Sequence, residues 1–460
     1  MKPRGKQRKR KQVRDASEGL PLIHANAAGI DVGNRDHYVA VPVGRDPRPV
    51  QKFSSFTTDL HRMANWLKAC GMETVVMQAT GVYWVALFEV LEQHGLHVQV
   101  VNAQHTKTLP GRKTDVQECQ WLQKLHSFGL LNNSFRPSEE IRVLRSYLRQ
   151  RENLVAAAST CVQHLQKALT QMNVQLANVI SDITGVTGMA ILRAIVKGER
   201  DLEKLAALKH SQIHATREEI ARSLQGTWRT ELIFVLGQSL DLYDFHLFKI
   251  QECDQQIEAH LKTMESRIDP ALHPMPPSRH KRKKRKHGPG FDLRQHLYRL
   301  AGVDLSEIDG FDVQVAQTVL SEVGTDMQAW KTEGHFSSWL GLCPNNQTSG
   351  GKVLKRKTRK VVNRAATALR LAAWNLIRSQ SALGAKFRRL RTRLGAPKAI
   401  TAMAHHLARI VYRMLKFGKA YVDKGQQHYE TKYRLHQRKW LEKQAAVLNL
   451  QLVPVQGVTG

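Results

Sequence analysis

The sequence predicts an α/β domain at the N-terminus, a long helical region in the middle and a mainly α-helical third domain. Three observations carry this. Short segments rich in Val, Ile, Phe and Tyr alternate with helical-period segments between residues 27 and 128. Apolar residues recur at spacings of three, four and seven from Ile141 through Met264. A basic stretch preceded by four prolines then interrupts the pattern, and helical periodicity resumes from Phe291. The chain has 460 residues, about three times the ~150 of a typical domain, so several cores are expected.

The N-terminal elements follow in order. The segments AAGIDVG, HYVAVPVG and PVQKFSSF read as three consecutive strands separated by turn residues, an antiparallel meander. Thr58 is the expected N-cap of a helix whose Leu60, Met63, Ala64 and Leu67 lie on one face up to Gly71. A strand (TVVMQ), a helix (YWVALFEVLEQHG), a strand (HVQVVNA), a Pro110-Gly111 turn and a helix from about Thr114 to Phe128 complete the set. The order βββαβαβα is that of the RNase H fold.

From Ile141 to Leu176 the spacing of Leu144, Leu148, Val155, Leu165, Leu169 and Met172 predicts one long amphipathic helix. Leu247, Ile250, Ile257, Leu261 and Met264 predict a second, and the two pair as an antiparallel hairpin, a spacer or dimerisation arm without chemistry of its own. The run RHKRKKRKHG, 279–288, has seven Lys or Arg in ten positions, more than a packed core can absorb. Helical segments are then expected near 292–302, 312–323 and 361–380. The domain boundaries are a basic arm over 1–24, an α/β domain over 25–135, a helical coiled-coil region over 136–278, a basic linker over 279–290, a third domain over 291–430 and a tail over 431–460.

Composition narrows the function. The chain is 42% hydrophobic and 24% charged, which excludes disorder as its general state, and its 70 Lys and Arg against 39 Asp and Glu give +31 and a pI near 10.2. So large an excess points to a polyanion, hence nucleic acid. Membrane is disfavoured, because no apolar stretch approaches the ~18 residues of a spanning helix, and no apolar signal core follows the basic N-terminus. The five cysteines form no Cys-x-x-Cys pair, which suggests a reducing, cytoplasmic setting with neither disulfides nor zinc.

Asp31 stands in the middle of the first strand between apolar neighbours, where a carboxylate requires pairing, hydrogen bonding or a cation. Asp115 and Glu118, three apart, share a face in the first turn of the last helix of this domain. They either complement the helix dipole, with Glu118 in a capping box begun by Asp115, or share a cation with Asp31. The RNase H-like order favours the second reading, since it brings the first strand, the end of the fourth strand and the start of that helix to one sheet edge. Carboxylates there can hold Mg²⁺. The fourth strand ends in Gln78, which offers a carbonyl oxygen but no charge.

A second constellation is WLGLCPNNQTSGGKVLKRKTRK, 339–360. Pro344, Asn345 and Asn346 are expected to form a turn, and Gly350-Gly351 lets backbone approach a ligand just after Ser349. With Lys352, Lys355, Arg356, Lys357, Arg359 and Lys360 close by, the Ser349 hydroxyl is either a nucleophile toward a phosphodiester or, with Thr348, a phosphate-binding hydroxyl; pattern alone favours the latter. Lys113 and the run Lys281, Arg282, Lys283, Lys284, Arg285 and Lys286 are further phosphate-contact candidates. The segment 308–324 has the look of a helix-hairpin-helix phosphate binder lacking its second hairpin glycine.

The words GIDVGNRDHYVAV, VVMQATGVYWVALFEVLE, VNAQHTKTLPGRKTDVQECQWLQKLHSFGLL, ITGVTGMAILRAIVKGERD and LGLCPNNQTSGGK, in this order between about 27 and 425, resemble the DEDD transposases of bacterial insertion sequences. The family is the insertion-sequence one-ten family, and within it the one-eleven-eleven branch. The resemblance implies a RuvC-like N-terminal domain, a coiled-coil region and a C-terminal transposase domain supplying a catalytic serine. The family's acids carry over to Asp31, Gln78, Asp115 and Glu118, with Gln78 and Glu118 departing from the pattern, and its serine carries over to Ser349. It further implies recombination of element ends with target double-stranded DNA, a structured guide RNA encoded by the element, and a site composed from different protomers of a homo-oligomer, a dimer or a tetramer on DNA. The expectation is a cytoplasmic, nucleoid-associated recombinase in which Mg²⁺ on Asp31, Asp115 and Glu118 polarises a phosphate that Ser349 attacks. The alternatives are a RuvC-like junction nuclease using water and a non-catalytic nucleic-acid binder.

Overall fold

A computed structural model describes residues 21–102, 114–279, 286–359 and 361–453. The chain divides into two units, Met1–Arg136 and Pro137–Gly460. In the first, β1 (Ala27–Val32), β2 (Asp36–Ala40) and β3 (Val50–Ser54) form the expected antiparallel meander. After α1 (Thr57–Ala69) come β4 (Thr74–Gln78), α2 (Trp84–Gln93), β5 (His97–Val101) and α3 (Asp115–Ser127). The sheet order is β3-β2-β1-β4-β5, with β4 parallel to both β1 and β5, the RNase H-like arrangement that the element order implied. Phe56, not Thr58, caps α1: Phe56 N donates to Ser54 Oγ, and that hydroxyl binds Asp59 in the first turn.

Strand alternation gives the sheet two faces. One buries Ala28, Ile30, Val32, Val39 and Met77 under Leu60, Met63 and Leu67 of α1 and Leu87 and Leu91 of α2. Each fully buried Leu or Ile contributes roughly 1.5–3 kcal/mol, so this face holds α1 and α2 firmly. The other face is smaller, with Val76 and Val101 under Leu122 of α3.

The second unit opens with α4 (Glu139–Gln171) and continues through α5 (Leu176–Val179), α6 (Val186–Val196), α7 (Leu202–Ala207) and α8 (Arg217–Ser223) to α9 (Thr230–Thr263). The first long helix ends five residues before the predicted Leu176. Asn173 turns to φ +58°, a conformation asparagine tolerates, and Met172 O accepts from Thr227 N at 2.9 Å instead of continuing the helix. Helices α4 and α9 are antiparallel: His260 Nε2 meets Glu140 O at 2.8 Å, while Arg151 pairs with Asp254. Leu165 and Leu169 pack with Leu236, Leu240 and Tyr243 and with Ile191, Leu192 and Ile195 of α6.

Arg151 and Asp254 are buried between the two long helices, at 9% and 8% exposure. Arg151 Nε meets Asp254 Oδ1 at 2.5 Å, and Nη2 donates to Asp254 Oδ2 at 3.2 Å and to His287 O at 2.8 Å. Beyond α9 the basic stretch is anchored at both ends. Arg279 N donates to Glu307 Oε2 at 3.1 Å, and Lys286 Nζ reaches Asp182 Oδ2 at 2.6 Å. Lys281, Arg282, Lys283, Lys284 and Arg285 lie outside the described residues, as do Lys113, Lys360, the Pro110-Gly111 turn and residues 1–20 of the basic arm.

The remaining elements are α10 (Leu293–Ala301), α11 (Val313–Val323), α12 (Glu333–Trp339), β6 (Pro344–Ser349), β7 (Lys352–Thr358), α13 (Arg364–Asn375), α14 (Ala382–Leu394), α15 (Ala396–Phe417) and α16 (Gly425–Val447). The third predicted helix, 361–380, is shorter than its periodicity suggested: α13 gives way to a 3₁₀ turn over Leu376–Arg378. Within 308–324, Gly310 lies against α13, where a Cβ would overlap Ala372 O. The preceding loop therefore serves helix packing, and Asp312 caps α11 by accepting from Val315 N at 2.8 Å.

Removing one member of a buried ion pair strands the other charge. Arg151→Met or Asp254→Leu alone is expected to destabilise the second unit by about 3–5 kcal/mol, whereas the double replacement recovers most of that loss. Denaturant unfolding of the three variants checks this; single variants within about 0.5 kcal/mol of wild type would show the pair to be dispensable.

Candidate active site

Asp31 is the fifth of six residues in β1, near the strand's C-terminal end and not at its centre. Gly29, two residues earlier, shares its face. A Cβ on Gly29 would stand 2.5 Å from Cys119 O and 2.8 Å from Gln123 Cα, and closer still to Gln123 N. Thus α3 lies directly on β1 with no side chain between them, which only glycine allows. The register that sets Gly29 beside Val76 and Ile30 beside Met77 brings Asp31 and Gln78 alongside one another on the face that α3 covers.

The first turn of α3 carries the other acids. Its N-cap is Thr114, whose hydroxyl accepts from Gln117 N at 3.3 Å. Asp115 is therefore the first helical residue and Glu118 the fourth, so the capping-box reading of this pair is overturned. Asp115 is exposed and complements the helix dipole, whereas Glu118 is half-buried.

Electrostatics tie the three carboxylates together. Burial first, then the charge of Glu118 and that of Asp115, together push the Asp31 carboxyl up to about 6. The same two carboxylates of β1 and α3, Asp31 and Asp115, add to the burial that pushes the Cys119 thiol up to about 12. Gln78 is buried at 5% exposure and contributes no charge.

The donors on offer to a divalent cation are all oxygens, and their mutual repulsion is what a hard cation relieves. Among the described residues, however, no three His, Cys, Asp or Glu side chains are gathered into a coordination shell. The fit to a divalent cation therefore rests on the oxygen donors and on the repulsion between Asp31, Glu118 and Asp115, not on a closed protein cage.

Around Ser349 the structure corrects the expected turn. Pro344, Asn345 and Asn346 begin β6 and pair with Thr358, Lys357 and Arg356 of β7. The turn is Gly350-Gly351, with φ of +54° and +75°, the two-positive-φ geometry of a tight hairpin. Ser349 is the last residue of β6, exposed and opposite Lys352, with Thr348 opposite Val353 beside a bulge. Lys352 and Lys357 are exposed along β7; Lys355 and Arg356 are described only as backbone positions. Arg359 Nη2 donates to Ser338 Oγ of α12 at 3.2 Å, so it ties the hairpin base down. Asp31, Gln78, Asp115 and Glu118 belong to the first unit and Ser349 to the second. The residue that sequence reasoning missed is Gly29; its only signal was a glycine two positions before a strand carboxylate.

A raised acid pKa means that the fold favours the protonated form. The Asp31 contribution to stability is therefore present below the ordinary carboxylate range and lost as pH rises toward about 6. Asp31→Asn is expected to raise the melting temperature near neutral pH, with the gain shrinking to nothing near pH ~4. Thermal melts across that range check the sign; a variant less stable at neutral pH would mean that the carboxylate is satisfied rather than repelled.

Two family models match segments of the chain. Residues 28–174 match the family model DEDD_Tnp_IS110, described as Transposase, a span that holds Asp31, Gln78, Asp115 and Glu118. Residues 302–388 match the model described as Transposase IS116/IS110/IS902 family, a span that holds the β6–β7 hairpin and Ser349. No curated protein matches the chain. Among the described residues no helix is long and apolar enough to cross a membrane. With a mixed α/β N-terminal domain, a helical C-terminal region and both family segments in order, the chain belongs to the IS110 family of DEDD transposases, enzymes that act on DNA as transposases and recombinases.

Proposed function

We propose that this transposase breaks and rejoins DNA with Ser349 as the nucleophile, and that Asp31, Asp115 and Glu118, with the Gln78 carbonyl, hold Mg²⁺. The observation that carries the reading is the mutual repulsion of three carboxylates on the face where α3 covers β1, with Asp31 driven up to about 6. Such an arrangement costs stability unless a cation occupies it. When bound there, Mg²⁺ would neutralise charge on a scissile phosphate.

The protein's own part follows from chemistry. Ser349 ends a strand and is exposed beside a tight turn, whose positive φ at Gly350 and Gly351 is what glycine supplies there. As the Oγ–phosphorus bond forms, the bond from phosphorus to the departing strand's oxygen breaks, leaving a phosphoserine ester. Strand exchange reverses these two bond changes with a different oxygen. Lys352, opposite Ser349, supplies positive charge where negative charge develops on the phosphate oxygens. A composite site within a homo-oligomer, a dimer or a tetramer on DNA, is part of the proposal and rests on family membership. So is a structured guide RNA, which rests on family membership and the chain's +31 charge.

The competing reading is a RuvC-like nuclease in which water attacks and Ser349 only binds phosphate. The two readings differ in the covalent adduct.

Ser349→Ala is expected to eliminate an SDS-stable protein–DNA adduct while Thr348→Ala retains it; an adduct that persists in Ser349→Ala would exclude this serine. Asp31→Asn and Asp115→Asn should each abolish divalent-dependent strand cleavage yet bind DNA within a few-fold of wild type, since the basic surface is untouched. Co-expressing Asp31→Asn with Ser349→Ala protein should restore part of the recombination in mixed oligomers. No restoration, despite demonstrated mixing, would place the whole site in one chain.

A further inference from the structure

Half of the chain's excess charge lies outside every segment considered so far. Residues 364–443 hold 19 Lys and Arg against three acids, Asp423, Glu430 and Glu442. Helices α14 and α15 contain no acid at all. Helix α16 follows them, beyond the span of either family model. It has no buried residue over its 23 positions, so core packing explains nothing about its sequence.

One side of α16 is tethered. Tyr429 and Tyr433 stack on each other with ring centroids 6.5 Å apart. The Arg389 guanidinium of α14 lies over both, 3.4 Å from the Tyr433 centroid and 5.7 Å from that of Tyr429. Arg388 Nη2 donates to Gln426 Oε1 at 2.8 Å. These contacts fix the N-terminal half of α16 to α14 through a half-buried cation–π pair. They also fix which faces are left to solvent.

Next to the tyrosine stripe runs a ridge of His428, Lys432, His436, Lys439 and Lys443, at spacings of four, four, three and four. That spacing places all five on one face of the helix. All five are exposed; Glu430 lies off this face, and Glu442, three residues after Lys439, borders it. Glu442 is engaged by Arg438 at 2.9 Å, and Glu430 by Gln426 at 2.6 Å. Trp440, 60% exposed, continues the aromatic stripe beyond the tethered half. The ridge carries three lysines, and Lys439 and Lys443 repel each other at i,i+4. Its complement is a regular row of anions. From His428 to Lys443 the ridge spans roughly 22 Å at ~1.5 Å per residue, well within one ~34 Å turn of a DNA duplex.

We infer that the exposed ridge of α16 lies along the phosphate backbone of the DNA this transposase binds, a contact surface distinct from the serine hairpin and from the basic stretch at 279–288. The inference rests on DNA being the partner and extends it to a defined helix face. Contacts of this kind position the protein without reading sequence.

The test uses the full chain and a mixed-sequence DNA duplex, with affinity measured as a function of salt. Each lost phosphate contact lowers the slope of log affinity against log salt by about 0.9. Lys432→Gln with Lys439→Gln should therefore flatten the slope by roughly two and weaken binding at physiological salt, at an unchanged melting temperature. Arg434→Gln with Arg438→Gln removes the same charge from another flank of the same helix and should leave the slope near wild type. Equal effects from the two pairs, or no effect from the ridge pair, would overturn the assignment. The same titrations against a structured RNA hairpin separate the two polyanions: a loss confined to RNA would equally overturn the assignment to DNA. The ridge variants retain Ser349 and the acids, so an intact covalent adduct at low salt alongside a flattened slope separates this surface from the catalytic reading.

Discussion

The bare contact between α3 and β1 at Gly29 is the constraint on which the acidic site depends. Cys119 O and Gln123 Cα occupy the space that any side chain at position 29 would need. The helix is thereby drawn against the strand, and its first turn, with Asp115 and Glu118, comes within electrostatic reach of Asp31. The hydrophobic contribution on this face is small, with Val76, Val101 and Leu122 at its centre. Geometry at one glycine therefore does more to place the acids than apolar burial does. The much larger cluster on the opposite face keeps β1 and β4 rigid beneath them.

This placement sets stability against function. Burial and like charge both oppose ionisation of Asp31, so the fold carries an unfavourable carboxylate group, which under the proposed function a cation and a phosphate would together relieve. Gln78 lowers the negative charge of the group relative to a fourth carboxylate while preserving an oxygen donor. In the second unit the opposite solution appears: Arg151 and Asp254 are more deeply buried, but each satisfies the other, and Arg151 also closes on His287 O.

Much of the first unit was legible because its strands are bounded by turn residues and its helices have clear apolar faces. Asp31 and Gln78 could be placed at one edge from element order alone. The capping assignment at Asp115 was not legible, since Thr114 and Asp115 are both good caps and only the backbone decides between them. Asn173 looks like one more polar residue on a helix, yet its left-handed conformation ends α4. The serine segment misled because Asn-Asn-Gln-Thr-Ser has the composition of a turn, and an exposed two-stranded hairpin needs no apolar alternation. Its one reliable signal was Gly350-Gly351, the pair that a two-residue hairpin demands. The ridge of α16 was readable as charge but not as a surface, because the tether to Arg389 is what defines its free face.

The most direct measurement of the central claim is the titration of the Asp31 side-chain carboxyl by NMR, in wild type and in Gly29→Ala. The account predicts a wild-type value near 6. A Cβ at position 29 should push α3 away, take Glu118 and Asp115 out of reach, and let the Asp31 value fall toward the ordinary carboxylate range. An Asp31 that titrates as an ordinary carboxylate in wild type, or a raised value that Gly29→Ala leaves unchanged, would contradict the account.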